Sequence, residues 1–556
     1  MNTSTMDGLL FANMIRGGAA SLSEHRKLVN DLNVFPIPDG DTGDNMYMTI
    51  ASGVDAVESA PSGAVSDAAK TAAHGMLLGA RGNSGVILSR IFAGISQGLE
   101  GVERANVSTL GHALEAGVTE AYGAVSVPVE GTILTVYRDA VGYACDRIGA
   151  DSTFESYFED FLAELRRSLD RTPELLDVLK QAGVVDSGGA GFIYIVEGMQ
   201  QALEGVAFSR ELAQTTAARR VDLSAFDEDS VLEFGYCTEF LLRLQRSKVD
   251  LERFDAQEIA DYLNDNGDSV VCFREGSIVK AHVHTKTPGD ILNHCQRYGE
   301  YLTLKIENMS LQHNEQMEKA PESAAGSYVP AAIRPKKPYG IVTVAAGEGL
   351  KSIFYELGCD AVIDGGQSMN PATQDFINAF GQIESDTILV YPNNSNILLT
   401  ARQAARLYDR ADVRIVPSKT IGEGYAGISQ LNTASGDTEA ILEEQQLAIA
   451  SVVTGLVSKA IRETEVSGVP VHIGDYIGFV GDTVYADAHE RIDAAMKLAG
   501  VLEVSKYDVV LLLSGCDVPP DEAEALRQAL EDSNPLTEII LLPGGQPIYD
   551  YIMIFE

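Results

Sequence analysis

The sequence predicts a multidomain protein: an all-α antiparallel helical domain, then an α+β domain of ferredoxin-like order, then an α/β domain. Three observations lead there. The chain has 556 residues, too many for one hydrophobic core, so roughly two to four domains are expected. Its hydrophobic period changes twice, giving expected domains at 1–206, 231–317 and 338–556. The stretches at 207–230 and 318–337 lack any apolar period, and the second is rich in Pro, Ala and Ser, as connectors are.

The opening domain reads as helix throughout. Ala-, Leu- and Gly-rich amphipathic segments are expected at about 5–20, 22–33, 43–59, 64–78, 85–99, 106–124, 131–147, 153–169 and 189–203, from apolar residues recurring every three to four positions. In the middle domain, strands near 232–244, 269–274, 278–284 and 301–307 alternate with helices near 256–264 and 289–297. That order, βαββαβ, is the split βαβ arrangement. After Tyr339 short apolar runs alternate with helices, which predicts a largely parallel sheet.

Composition narrows the function. Forty-one basic against 80 acidic residues leave a net charge of −39, a field that repels nucleic acid and anionic lipid surfaces. The same field repels bare nucleotide phosphates, so a divalent cation is the expected mediator. No apolar run reaches the roughly 18 residues of a membrane span, and Met1–Gly8 has no signal-peptide pattern, so a cytoplasmic location is expected. Six cysteines lie scattered without CxxC spacing, which suits reduced thiols.

The turn Pro38-Asp39-Gly40-Asp41-Thr42-Gly43 brings two carboxylates together just before a helix. Mg²⁺ takes one to three protein oxygens and leaves room for phosphate oxygens. A Ca²⁺ loop of the EF-hand type is excluded, because Asp44 and Ile50 stand where Gly and Glu are required. The bland alternative is a solvated turn in which Asp caps a helix. Three further turns also lead into apolar helices: Gly79-Ala80-Arg81-Gly82-Asn83-Ser84-Gly85, Glu130-Gly131-Thr132 and Asp186-Ser187-Gly188-Gly189. Helix N-termini bind anions through free N–H groups. In an up-and-down arrangement alternate helices start at the same end, so the acidic, Arg81 and Thr132 turns should share one rim. The Asp186 turn joins them only if the short helix at 173–181 is not counted separately. No Walker A string is present, and Gly422–Gly427 matches GxGxxG without a strand directly before it.

The strings at 32–46 (LNVFPIPDGDTGDNM), 79–89 (GARGNSGVILS), 130–140 (EGTILTVYRDA) and 185–192 (VDSGGAGF) strongly resemble the DhaL-type nucleotide-binding domain. That domain is an antiparallel helical barrel shared by dihydroxyacetone kinases and bacterial fatty acid kinases. Asn-Val-Phe-Pro before the acidic pair resembles the branch formed by the A-type subunits of fatty acid kinases. The resemblance implies Mg²⁺ on ATP held by Asp39 and Asp41. It also implies Thr42, Gly43, Asn45, Ser84 and Thr132 at the nucleotide; the glycine-rich turns themselves offer Gly82, Asn83, Gly85 and Asp186 to the phosphates, and the charge of Arg81 is a candidate to assist transfer. Glycerone-kinase relatives carry a third aspartate upstream; here Asn33 or Val34 stands there, and Asn33 becomes the candidate third ligand. Asp44 compensates for the missing charge or faces solvent.

In the middle domain, Cys237 on the first strand and His282 and His284 on the third strand can meet, because those strands are neighbours in this topology and His282 and His284 share a face. A thiolate with two imidazoles suits Zn²⁺. The alternative is two packed histidines beside a small buried cysteine, and resemblance to the A-type kinase subunits favours zinc. The strings at 365–373 (GGQSMNPAT), 391–397 (YPNNSNI), 474–479 (GDYIGF) and 543–552 (PGGQPIYDYI) resemble the family's DegV-like C-terminal domain. Their amide clusters serve either as a ligand or partner surface or as turn formers.

The implied activity is ATP-dependent phosphorylation of a fatty acid carboxylate to an acyl phosphate. The resemblance implies that the acid arrives on a separate lipid-binding protein of DegV fold, the B-type component of such kinases. A carboxylate acceptor is already ionised near neutral pH and needs no general base. Two rivals stand beside this reading: a kinase for a small polyol such as dihydroxyacetone, and a non-catalytic nucleotide-sensing scaffold. A homodimer is compatible with the sequence.

Overall fold

A computed structural model describes residues 3–32, 37, 40–125, 127–206, 208, 236–245, 248–249, 254, 257–275, 278–308, 337–366 and 370–556. The expected connectors at 207–230 (Phe208 aside) and 318–336 lie outside the described residues, as do Asn33 and Asp39. The chain forms two compact units, one from Met1–Thr215 with Ile333–Glu556, the other from Thr216–Ala332.

In the first unit the chain opens with helices α1 (Gly8–Asn30), α2 (Thr42–Ser59), α3 (Val65–Gly79), α4 (Gly82–Gly98), α5 (Val107–Ala124), α6 (Ile133–Cys145), α7 (Phe154–Leu175), α8 (Asp177–Ala182) and α9 (Ser187–Leu203). Side-chain caps set several starts: Asp7 accepts from Leu10 N–H, Asn106 from Thr109 N–H, and Thr153 closes a capping box with Ser156. The expected pair 5–20 and 22–33 is one helix. Its Gly17 is the point where α1 meets the backbone of Gly198 on α9. The core runs through the middle of these helices, with Tyr137, Phe161 and Phe192 edge to face.

The second unit holds β1 (Tyr236–Leu244), α10 (Gln257–Asp265), β2 (Asp268–Glu275), β3 (Ile278–Thr285), α11 (Pro288–Cys295) and β4 (Gly299–Asn308). The sheet order β2-β3-β1-β4 makes the first and third strands antiparallel neighbours, as the βαββαβ order requires.

Returning to the first unit, β5 (Lys337–Ala345), α12 (Glu348–Glu356), β6 (Ala361–Asp364), α13 (Thr373–Gly381), β7 (Ser385–Tyr391), α14 (Leu398–Leu407) and β8 (Asp412–Ile415) build a parallel sheet of order β6-β5-β7-β8. Then follow α15 (Ile421–Ser429), α16 (Thr438–Ala450), β9 (Val453–Lys459), β10 (Thr464–Val466), β11 (Val469–Val471), β12 (Tyr476–Val480), β13 (Thr483–Ala488), α17 (Arg491–Leu502), β14 (Val509–Ser514), α18 (Pro520–Ser533), β15 (Glu538–Pro543) and β16 (Tyr549–Phe555). The expectation of a largely parallel sheet holds for the first four strands only. The six-stranded sheet β13-β12-β9-β16-β14-β15 is antiparallel except for β14–β15, because a tight connection links β12 to β13 with no room for a crossover helix. The glycine string 422–427 falls inside α15, where Gly424 lets that helix close on Asn393.

Candidate active site

The turns before α2, α4, α6 and α9 meet at one end of the helical domain. Ser187 Oγ donates to Thr42 Oγ1 at 3.2 Å, joining the Asp186 turn to the acidic turn. The Arg81 N–H points at Thr49 Oγ1 on α2 at 3.4 Å. The Asp186 carboxylate accepts from Gly189 N–H at 2.6 Å and from the Ile133 N–H at the start of α6. Burial pushes the Asp186 carboxyl up to about 6 against those two donors. The short α8 therefore does not break the alternation: it is a detour inside the connection from α7 to α9.

Each predicted residue on this rim that the structure describes has a definite place. Thr132 is the N-cap of α6, with its hydroxyl turned back to Val129 O at 2.8 Å. Asn45 is buried one turn into α2, and Ser84 lies half-buried in the first turn of α4. Gly82 has φ +57°, a left-handed conformation that favours glycine, and a Cβ there would come within 2.6 Å of Asn45 Nδ2. Gly43 and Gly85 serve packing: a side chain would collide with Arg26 O on α1 or with Thr49 Oγ1 on α2. Asp44 neither faces solvent alone nor joins the turn. It pairs with Arg26 at 3.3 Å and accepts from Asn30 Nδ2 at 2.7 Å, while Asn30 Oδ1 accepts the Gly43 N–H at 2.7 Å.

What covers the rim is the C-terminal domain, a union that no local pattern announces. Asn370 Nδ2 donates to Asp41 Oδ2 at 2.6 Å, and Asn396 Nδ2 approaches Asp41 Oδ1 at 3.4 Å. Asn396 Oδ1 accepts the Asn83 N–H at 2.8 Å, in the first turn of α4. The Arg81 guanidinium donates to Asn370 O at 2.7 Å, with Asp375 at 3.9 Å. Burial lowers its pKa, and the Asp375 charge opposes that shift. Arg81 and Ala372 form an antiparallel bridge, Thr373 N–H donates to Ala80 O at 3.1 Å, and Gln403 Nε2 donates to Leu77 O at 2.9 Å. Ile37, just before the acidic pair, is 2% exposed and belongs to the apolar cluster of Leu350, Tyr391 and Ile552.

Two amide oxygens near Asp41 are buried without a hydrogen-bond donor among the described residues: Asn370 Oδ1 and Asn83 Oδ1. A carboxylate with orphan amide oxygens is an all-oxygen donor set of the kind Mg²⁺ takes, so the described residues fit the cation implied for this turn. In the second unit the register pairs Cys237 with His284 and Glu239 with His282; the side chains of Cys237, His282 and His284 lie outside the described ones. Among the described residues one other metal-like grouping occurs, His472, Asp475 and Asp487. There His472 Nδ1 is bonded to Asp487 at 2.6 Å and is well exposed, as surface ion pairs are.

Helix N-termini gathered round a carboxylate form an arrangement able to hold a cation together with phosphate oxygens, and comparisons with known proteins give the family. The DAK2 domain matches residues 36–201, and the middle and C-terminal domains of the fatty acid kinase FakA-like family match 233–316 and 340–556. The chain belongs to the FakA-like family of fatty acid kinases, a family of phosphotransferases. It is 37% identical to Protein YloV of Bacillus subtilis (strain 168), over 100% of both chains. An uncharacterised protein of Staphylococcus aureus (strain bovine RF122 / ET3-1) is 36% identical over the same shares. Among solved structures, a fatty-acid-binding DegV family protein from Thermus thermophilus aligns with 40% of this chain and 100% of its own at 13% identity and TM-score 0.29. The dihydroxyacetone kinase of C. freundii aligns with 36% of each chain at 20% identity and TM-score 0.27. Among the described residues no helix is long and apolar enough to cross a membrane.

Proposed function

We propose that this chain transfers the γ-phosphoryl group of ATP to the carboxylate of a fatty acid presented by a separate DegV-fold lipid-binding protein, yielding an acyl phosphate and ADP. The observation that carries the reading is the rim on which α2, α4, α6 and α9 all begin, with Asp41 at its centre. Mg²⁺ held by Asp41, with Asp39 and the upstream Asn33 as further candidate ligands, would neutralise the phosphate charge. The chain's own contribution is alignment: helix N-termini aim N–H groups at the phosphates, and Arg81 brings a buried positive charge. A carboxylate oxygen of the acid attacks the γ-phosphorus, the bond to the β,γ-bridging oxygen breaks, and no proton has to be removed.

The C-terminal domain has an apolar cavity of its own among the described residues. Lined by Val344, Leu350, Ile397, Leu456, Tyr549 and Ile552, it has a volume of about 70 Å³. The zinc reading of Cys237, His282 and His284 rests on the family and on the backbone register of β1 and β3.

The test is a transfer assay with Mg²⁺ and labelled ATP, run with lipid-loaded partner, with dihydroxyacetone, and alone. Acyl phosphate formed only with loaded partner is the expected result. Phosphorylated triose would replace this reading with the polyol kinase, and binding without turnover under every condition would leave a nucleotide sensor.

A further inference from the structure

We propose that Asn370, carried by the C-terminal domain, is a ligand of the divalent cation in the helical domain's nucleotide site, so that the site is built from both ends of the chain. The proposal rests on the nucleotide reading above and adds a ligand to it. Asn370 is 1% exposed. Its Nδ2 is fixed on Asp41 Oδ2 at 2.6 Å, which orients the amide and leaves Oδ1 as its other, buried end. A Cβ built on Gly82 would meet the same Nδ2 at 3.0 Å, so the amide lies between Asp41 and the N-terminus of α4.

That Oδ1 has no donor among the described residues. An amide oxygen buried without a partner costs roughly 1–3 kcal/mol, and folded proteins keep few of them. A hard cation shared with Asp41 relieves the cost. It also explains why the backbone holding Asn370 is pinned so firmly. Arg81 grips its carbonyl, Arg81 and Ala372 form a bridge, and Thr373 bonds to Ala80 O.

Asn396 makes the natural contrast. It too reaches Asp41, but its Oδ1 is already spent on the Asn83 N–H. If the two asparagines merely dock one domain on the other, removing either has the same effect. If Asn370 is a ligand, they differ.

The experiment titrates Mn²⁺ in the presence of ADP into the full chain by calorimetry. The proteins compared are the unsubstituted chain, Asn370→Ala, Asn370→Asp and Asn396→Ala. Even an outer-shell partner of a metal ligand typically costs about 10- to 100-fold in affinity when removed, and a loss at least that large is expected for Asn370→Ala alone. Asn370→Asp, with a carboxylate in place of the amide, should match or exceed the unsubstituted affinity. Equal losses for Asn370→Ala and Asn396→Ala, or unchanged Mn²⁺ affinity in Asn370→Ala, would overturn the proposal. Tighter binding by Asn370→Ala would also overturn it, since the amide would then be a plug. If Asn370→Ala fails to fold, Asn370→Asp decides by thermal melting. Repulsion from Asp41 should lower its midpoint without divalent ions, and Mg²⁺ should raise that midpoint more than in the unsubstituted chain; an equal Mg²⁺ effect would overturn the assignment. If the unsubstituted chain binds no Mn²⁺ with ADP while remaining folded, the nucleotide reading itself falls, and this ligand with it.

Discussion

Replacing Asp41 removes two things at once, because its carboxylate faces both the nucleotide rim and the C-terminal domain. Asp41→Ala should abolish phosphoryl transfer. Read as an exposed turn, position 41 would contribute little to stability, but Asn370 Nδ2 loses its acceptor in this variant. A loss of about 1–3 kcal/mol is therefore expected, measured by chemical denaturation with no ligand present. Unchanged stability would show that the amide finds another acceptor. Asp186 gives a pH test. Its carboxyl titrates at about 6 in the folded chain, against about 3.9 when unfolded. Between those values the folded state binds more protons, so the stability this group contributes is full below about pH 4 and is lost as pH rises through 6. Asp186→Asn keeps an oxygen to cap α9 and cannot titrate. Its melting temperature should lack that decline across roughly pH 4–6, and an unaltered pH profile would contradict the assignment.

At the level of elements, the two-residue period of β3 puts His282 and His284 on one face, and the strand order brings β1 alongside. If zinc is bound there, Cys237→Ala should lower the metal content of the purified protein, measured by elemental analysis. An unchanged zinc-to-protein ratio would end that assignment. The helices teach a different lesson. Glycines at 43 and 85 read locally as phosphate-approach points, and each also sits where two helices touch. Sequence distinguishes these roles poorly, because a glycine against a helix and a glycine against a ligand have the same local pattern.

For the whole molecule, the decisive contact is Ile37. The run Val34-Phe35-Pro36-Ile37-Pro38 is apolar but carries two prolines, so it cannot continue a helix that would bury it. Ile37 is instead buried by another part of the chain. The C-terminal domain supplies that cover, taking Ile37 into its cluster with Leu350 and Tyr391. Ile37→Ala should cost about 2–5 kcal/mol. It should also weaken Mg²⁺-dependent nucleotide binding, although the side chain touches no ligand, since the acidic turn follows directly. Binding unaffected at matched stability would show that the turn is held by other means.

The type of most elements, the alternation that gathers three of the helix starts on one rim, and the order of the middle sheet were legible in the sequence. These depend on residues near one another in the chain: periodicity, caps and turn chemistry act over a few positions. The union of the helical and C-terminal domains depended on the tertiary structure alone. Asp41 and Asn370 are 329 positions apart, and nothing in either neighbourhood encodes that they meet. Only burial of complementary surfaces selects such a pair. The paired carboxylates of the acidic turn were therefore legible from its own residues, while the amide proposed to join them came into view only once the chain had folded back upon itself.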